Sequence, residues 1–123
     1  MPRWLIGTQP LAMESKLKRG SVYWVNLDAT QGSEIKKVRP GVLVGASPLN
    51  QARRTVLVVP LSRSAETRPP ITVRVRCMAQ EVSAVCDQIR AIDKTRLSAW
   101  IEEMSKEDLE SISKALKQVL ALS

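Results

Sequence analysis

The sequence predicts one small, mostly-β domain: a strongly curved barrel with peripheral helix and a closing C-terminal helix. Three observations carry that expectation. Short β-branched and aromatic runs recur between residues 22 and 93, separated by polar stretches rich in turn-forming residues. Two of them, 41–46 and 55–61, are apolar on consecutive residues, as strands buried on both faces must be. Helical spacing takes over only near the end, where Leu109, Ile112, Leu116, Val119 and Leu120 form one apolar stripe. A chain of 123 residues is long enough to bury an ordinary core without staples.

Taken in order, residues 1–17 read as a loosely held N-terminal extension, because Pro2, Pro10 and the lack of periodicity disfavour any element there. Met13 is a candidate alternative start. The folded domain is expected over 18–123. Val22, Tyr23, Trp24, Val25 and Leu27 predict a strand. The polar loop 28–37 is long for a hairpin, and loops of that kind in compact domains are functional or disordered. Between the two apolar strands, Ser47 can cap a short helical turn with Pro48 at its first position. A second polar loop spans 63–70. Ile71, Val73, Val75 and Cys77 then alternate with Thr72, Arg74, Arg76 and Met78, a half-buried strand with two arginines on its open face. That face is either solvated or in contact with a ligand. Residues 84–93 predict the last long strand, carrying Asp87, Gln88 and Arg90, after which the chain is expected to turn helical. Ser105 caps the final helix, with Glu107 and Asp108 suiting its positive end. Its stripe packs on the barrel or on a second subunit.

The net charge of +7 is unevenly spread. Residues 36–96 hold twelve basic and four acidic side chains, whereas 97–123 hold three basic and five acidic. A basic strand-rich body suits phosphates or an acidic peptide as partner, and general solubility is the plainer reading. No apolar run approaches membrane-spanning length, and the N-terminal apolar run is too short for a secretory signal, so the cytoplasm is the expected compartment. Cys77 and Cys86 show neither metal spacing nor a disulfide framework. With no histidine at all, no zinc site and no cofactor is expected. Three Trp, one Tyr and no Phe supply few stacking platforms, which weighs against a purely RNA-binding barrel.

The chemistry-bearing residues lie around the two central strands. Pro40 disfavours helical geometry at Arg39, so its guanidinium is offered from extended backbone at a strand entrance. The second strand ends in Pro60-Leu61-Ser62, which puts a hydroxyl at a strand terminus. An arginine and a hydroxyl on adjacent strand ends can seat a phosphate, since guanidinium matches phosphate geometry and stays charged. A domain without histidine or metal can still cleave RNA, because the ribose 2′-hydroxyl supplies the nucleophile. Such attack needs a proton acceptor, a donor for the 5′-oxygen and fixed positive charge for the phosphorane.

Five motifs stand in register at natural spacing: Gly20-Ser-Val-Tyr-Trp-Val-Asn-Leu-Asp28, Gly32-Ser-Glu34, Val38-Arg-Pro40, Val59-Pro-Leu-Ser62 and Cys86-Asp-Gln-Ile-Arg-Ala-Ile-Asp93. Over about residues 18 to 122 the chain resembles the MazF/PemK-type toxins. The resemblance implies an SH3-like small barrel, α+β overall, working as a homodimer. It also implies a sequence-specific, metal-independent endoribonuclease that cleaves single-stranded RNA by 2′-hydroxyl attack. Such a toxin is held in check by an antitoxin with an acidic disordered segment, with which it binds DNA. Arg39 and Ser62 match the family's catalytic pair. Glu34 matches its Gly-x-Glu loop and Asp87 its Asp-Gln pair, with Lys36, Lys37 and Gln88 as further RNA-binding or supporting residues.

Two departures matter. In the plasmid-type branch an arginine precedes the aspartate by two positions, where this chain has Val85, and a loop histidine is replaced by Ser33. Asp87 is thus a candidate for acid–base work, nucleotide contact or loop anchoring. Glu34 is a candidate for RNA contact or a loop-anchoring ion pair. The competing class is a protein-binding poison: CcdB shares the barrel and inhibits DNA gyrase. The Glu34, Arg39 and Ser62 set separates the two, because a gyrase poison has no need of it. Substrate recognition is expected in the loops 28–38 and 63–70.

Overall fold

A computed structural model describes residues 16–27 and 38–122. The expected extension up to residue 15 and the loop 28–37 lie outside the described residues. The strands are β1 (Ser21–Asn26), β2 (Val38–Leu43), β3 (Thr55–Ser62), β4 (Thr72–Cys77), β5 (Gln80–Val85), β6 (Arg90–Asp93) and β7 (Leu97–Glu103). Helix α1 (Ser47–Ala52) joins β2 to β3, and α2 (Lys106–Val119) follows β7. The sheet order is β4-β5-β3-β2-β1-β7, with β6 also paired to β3, and the described pairings are antiparallel. A mostly-β sheet with a C-terminal helix is the predicted class.

The consecutive apolar residues of β2 and β3 are explained by two cores, one on each face of the sheet. Val42, Val59 and Leu61 join Val22, Val75, Ala84 and Cys86 beneath Ile112, Ala115 and Leu116 of α2. Leu43, Val56 and Val58 turn the other way, onto Leu17, Tyr23, Val25 and Ile92. Side chains of this size contribute roughly 1.5–3 kcal/mol each when fully buried. Ile112 and Leu116 of the α2 stripe, with Leu109 and Val119 beside them, therefore pack within the chain, while Leu120 at its end is exposed. Ser105 caps this helix as expected, its hydroxyl accepting from the Asp108 N–H at 3.1 Å. Gly20 holds φ at +99°, a region that suits glycine, while its N–H and C=O join Leu43 and Met104 at the root of β1.

Three elements differ from expectation. Ser47 does not cap α1: its hydroxyl accepts instead from the Arg19 N–H at 2.9 Å, and the cap position falls to Ala46. Residues 84–93 are not one strand. Both β5 and β6 pair with the same edge of β3, but the register steps by three residues between them, and the 3-10 turn Cys86–Gln88 takes up the difference. Val59 and Pro60 have no ladder partner on this edge, and Pro60 has no N–H to offer one. Finally, residues 97–103 form β7 rather than helix, paired to β1 with two register shifts.

β4 and β7 are the free ends of this order, and no ladder joins them. Side chains span the gap instead. On the outer edge of β4 and its turn, the Arg76 N–H donates to Asp108 Oδ2 at 3.0 Å and the Met78 N–H to Glu102 Oε2 at 2.8 Å. Two carboxylates, one from α2 and one from β7, thus close the curved sheet and cover an edge that would otherwise invite pairing. The β4–β5 hairpin above it turns on Met78 and Ala79, at φ of 52° and 61°. That is the geometry of a tight hairpin that normally recruits Asn-Gly.

Glu102→Ala should cost about 1 kcal/mol in a denaturant melt, because the Met78 N–H loses its acceptor at the seam. An unchanged midpoint would remove the seam from the stability of the fold. Ala79→Gly should raise the midpoint modestly, by up to about 1 kcal/mol, since relief of left-handed strain exceeds the entropic cost of glycine. A lower midpoint would show that the hairpin is not strained.

Candidate active site

The β2–β3 ladder runs through Leu43↔Val58, Val42↔Val59 and Gly41↔Pro60. Continuing that register by two residues sets Arg39 opposite Ser62. Beyond the last paired residues the strands part, and a groove of about 320 Å³ opens there. Trp24 of β1 and Val38, Arg39 and Pro40 of β2 form one wall; Leu61, Ser62, Arg63 and Ser64 form the other, with Met78 from the β4–β5 hairpin at the rim.

Arg39 is exposed, its backbone is fixed by the pairing with Val25, and its guanidinium has no hydrogen-bond or ion-pair partner among the described residues. A guanidinium carries five N–H donors in a fixed fork that matches a phosphate. Ser62 is only 8% exposed. Its Oγ accepts from the Ser64 N–H and the Ala65 N–H, both at 3.2 Å, and lies 3.4 Å from the Ser64 hydroxyl. With both lone pairs occupied, this hydroxyl can act only as a donor. Arg63, exposed and next to Ser62, brings a second guanidinium to the same groove. Two cations and a directed O–H suit a phosphodiester, while Trp24, Pro40 and Met78 offer an apolar flank for a base.

The remaining predicted site residues divide into two groups. Asp87 and Gln88 are exposed on the 3-10 turn Cys86–Gln88, on the far edge of β3, and do not line the groove. Glu34, Lys36 and Lys37 lie outside the described residues. Near the start of that loop, Arg90 Nη2 donates to the Leu27 carbonyl at 2.6 Å, so the end of β1 is tied to β6. Neither thiol offers a nucleophile. Cys77 and Cys86 are buried, and burial pushes both up to about 11, Cys77 further helped by the Glu102 carboxylate and Cys86 by Asp87. Among the described residues, no group of His, Cys, Asp or Glu stands together as metal ligands would.

Trp24 and Met78 escaped the sequence analysis as site residues, whereas Arg63 and Ser64 fall in the 63–70 loop expected to recognise substrate without being singled out there. For Arg63 and Ser64 the signal was available, since they directly follow Ser62. Trp24 and Met78 reach the groove only through the fold, one across the β1–β2 ladder and one over the hairpin.

The family described as PemK-like, MazF-like toxins of type II toxin–antitoxin systems matches residues 18–120. The endoribonuclease EndoA of Bacillus subtilis (strain 168) is 29% identical over 111 residues, spanning 86% of this chain and 96% of that protein. Among solved structures, a mycobacterial endoribonuclease in complex with its cognate antitoxin superposes with a TM-score of 0.73 at 22% identity, covering 86% of this chain and 96% of the other. A MazE–MazF complex from Deinococcus radiodurans gives 0.74 at 19% identity, with the same shares covered. At these identities the two structures establish the shared fold.

Proposed function

The chain belongs to the PemK-like, MazF-like toxins of type II toxin–antitoxin systems, and from that premise we propose that it is a sequence-specific, metal-independent endoribonuclease acting on single-stranded RNA in the cytoplasm. The observation that carries the reading is the opposition of Arg39 and Ser62 across one groove. The similarity to an endoribonuclease over most of both chains supports it. A protein-binding poison of the CcdB type is not favoured, since it makes no use of such a groove.

In this mechanism a base takes the proton of the ribose 2′-hydroxyl as its oxygen attacks the adjacent phosphorus, and the P–O bond to the 5′-oxygen breaks as that oxygen takes up a proton and leaves as a hydroxyl. Negative charge builds on the non-bridging oxygens, and Arg39 meets it with a planar fork. Ser62 donates its one free proton to the same oxygens, in a position held before substrate arrives. Arg63 neutralises the scissile or the neighbouring phosphate. Glu34, Lys36 and Lys37 of the 28–37 loop, and Asp87 with Gln88, contact the RNA further out or support these loops. The enzyme is a homodimer. In support, Leu49 and Leu57 are 55% and 41% exposed around an apolar depression of about 310 Å³ on α1 and β3, a patch that a second copy can cover.

Cleavage should persist in chelator and leave a 2′,3′-cyclic phosphate and a 5′-hydroxyl. Arg39→Ala should abolish it in a folded protein, Arg39→Lys should be poor, and Ser62→Ala should lose about ten- to thousand-fold in kcat. Mass spectrometry that found 5′-phosphate ends, or full dependence on magnesium, would sink the mechanism; near-wild-type cleavage by Arg39→Ala would remove that residue from it.

The cognate antitoxin should bring an acidic, initially disordered segment that lies across the groove and competes with RNA. Attraction to the basic body speeds encounter, so the association rate should fall as salt rises. Stopped flow at two ionic strengths measures this. A salt-independent on-rate, or a complex that still cleaves freely, would contradict it.

A further inference from the structure

Ser83 of β5 is the register partner of Ser62 across the β3–β5 ladder, and both are buried. Between them the loop after β3 folds back onto the sheet. The Ala65 N–H donates to Ser62 Oγ at 3.2 Å, while the Ala65 carbonyl accepts from Ser83 Oγ at 3.0 Å. One residue of the loop is thus gripped at both polar groups by a facing pair of hydroxyls. Thr67 Oγ1, 3.3 Å from Ser83 Oγ, extends the same cluster.

We propose that Ser83 is a positioning residue for Ser62: by fixing Ala65, it keeps the Ser62 lone pairs occupied and its proton turned toward the groove. The inference rests on the ribonuclease reading of that groove. Its logic is a count of hydrogen-bonding capacity. A serine hydroxyl has two lone pairs and one proton. Two backbone N–H groups fill the lone pairs, so the link at 3.4 Å to Ser64 Oγ must run from Ser62 to Ser64. That contact is long and weak. It holds the proton in the groove until a phosphate oxygen takes it over. If Ala65 swings away, Ser62 Oγ regains a free lone pair, its rotor can turn to accept instead, and a donor prepared for the transition state is lost.

The test is a double-mutant cycle in the intact protein with a single-site RNA substrate. Ser83→Ala and the closer isostere Ser83→Cys should both lower kcat about three- to thirty-fold with KM unchanged, as for partial loss of one oriented donor. Ser83→Thr keeps a hydroxyl and should recover part of the loss. In a Ser62→Ala background the same Ser83 changes should have no further effect on kcat, because they act through Ser62. A merely structural serine would give equal losses in both backgrounds, and that result overturns the proposal. So does a wild-type kcat in folded Ser83→Cys. Amide hydrogen exchange supplies an activity-free arm, in which Ala65 should lose protection in Ser83→Cys; retained protection also overturns it. Failure of the ribonuclease reading has another signature: the wild type leaves RNA intact while Ala65 still loses protection, which upholds the clamp alone.

Discussion

The register of β2 against β3 is the constraint on which the other features of this molecule depend. The paired segments 41–43 and 58–60 are buried on both faces, so a slip of one residue would exchange Val42 with Leu43 and Val58 with Val59 and turn each to the wrong core. The same register sets Arg39 against Ser62. The strand ends that carry Arg39 and Ser62 are therefore placed by apolar residues several positions away. Gly41 tightens this pairing, because a Cβ there would press on the Val25 side chain at 3.1 Å.

Around that centre the structure meets its hydrogen-bonding needs locally. β3 carries a proline and cannot sustain a full ladder on its second edge, so three residues leave the sheet as a 3-10 turn and pairing resumes beyond it. β4 has a free edge, and two carboxylates from β7 and α2 cap it. Arg19 does similar work at the opposite end, its backbone N–H on Ser47 and its guanidinium on the Val44 carbonyl and the Ser113 hydroxyl. A small sheet of this curvature leaves gaps between strands, and polar side chains bridge them where the backbone does not reach.

How much of this could be read from the sequence follows from the range of each signal. β2, β3 and α2 were legible because burial on two faces, or a capped stripe at helical spacing, is written within a dozen residues. The placement of Arg39 and Ser62 at neighbouring strand ends was legible because motif and strand boundary coincide. β7 was not: Leu97 to Glu103 is largely exposed and carries register shifts against β1, so neither alternation nor a continuous apolar run marks it. The β4–β5 hairpin was hidden because Met78 and Ala79 adopt left-handed geometry without the asparagine or glycine that announces it. The break at Cys86–Gln88 was masked by Val85 and Ile89 on either side, and its cause, Pro60, sits on another strand. The groove wall formed by Trp24 and Met78 belongs to the fold, since nothing in the sequence near either residue points to Ser62.

The loop between β3 and β4 separates what holds its backbone from what its outward side chains present. Its backbone is held by hydroxyls on the sheet: Ser62 and Ser83 grip Ala65, and Thr72 takes the Glu66 carbonyl and the Arg68 N–H. Its exposed side chains hold little, since the ion pair of Glu66 with Arg68 is solvent-exposed and adds little to stability. Shape and vocabulary are thus encoded at different positions. Glu66 and Arg68 can be exchanged while the hydroxyl contacts keep the loop's outline, so the surface this segment presents is free to diverge without cost to the fold.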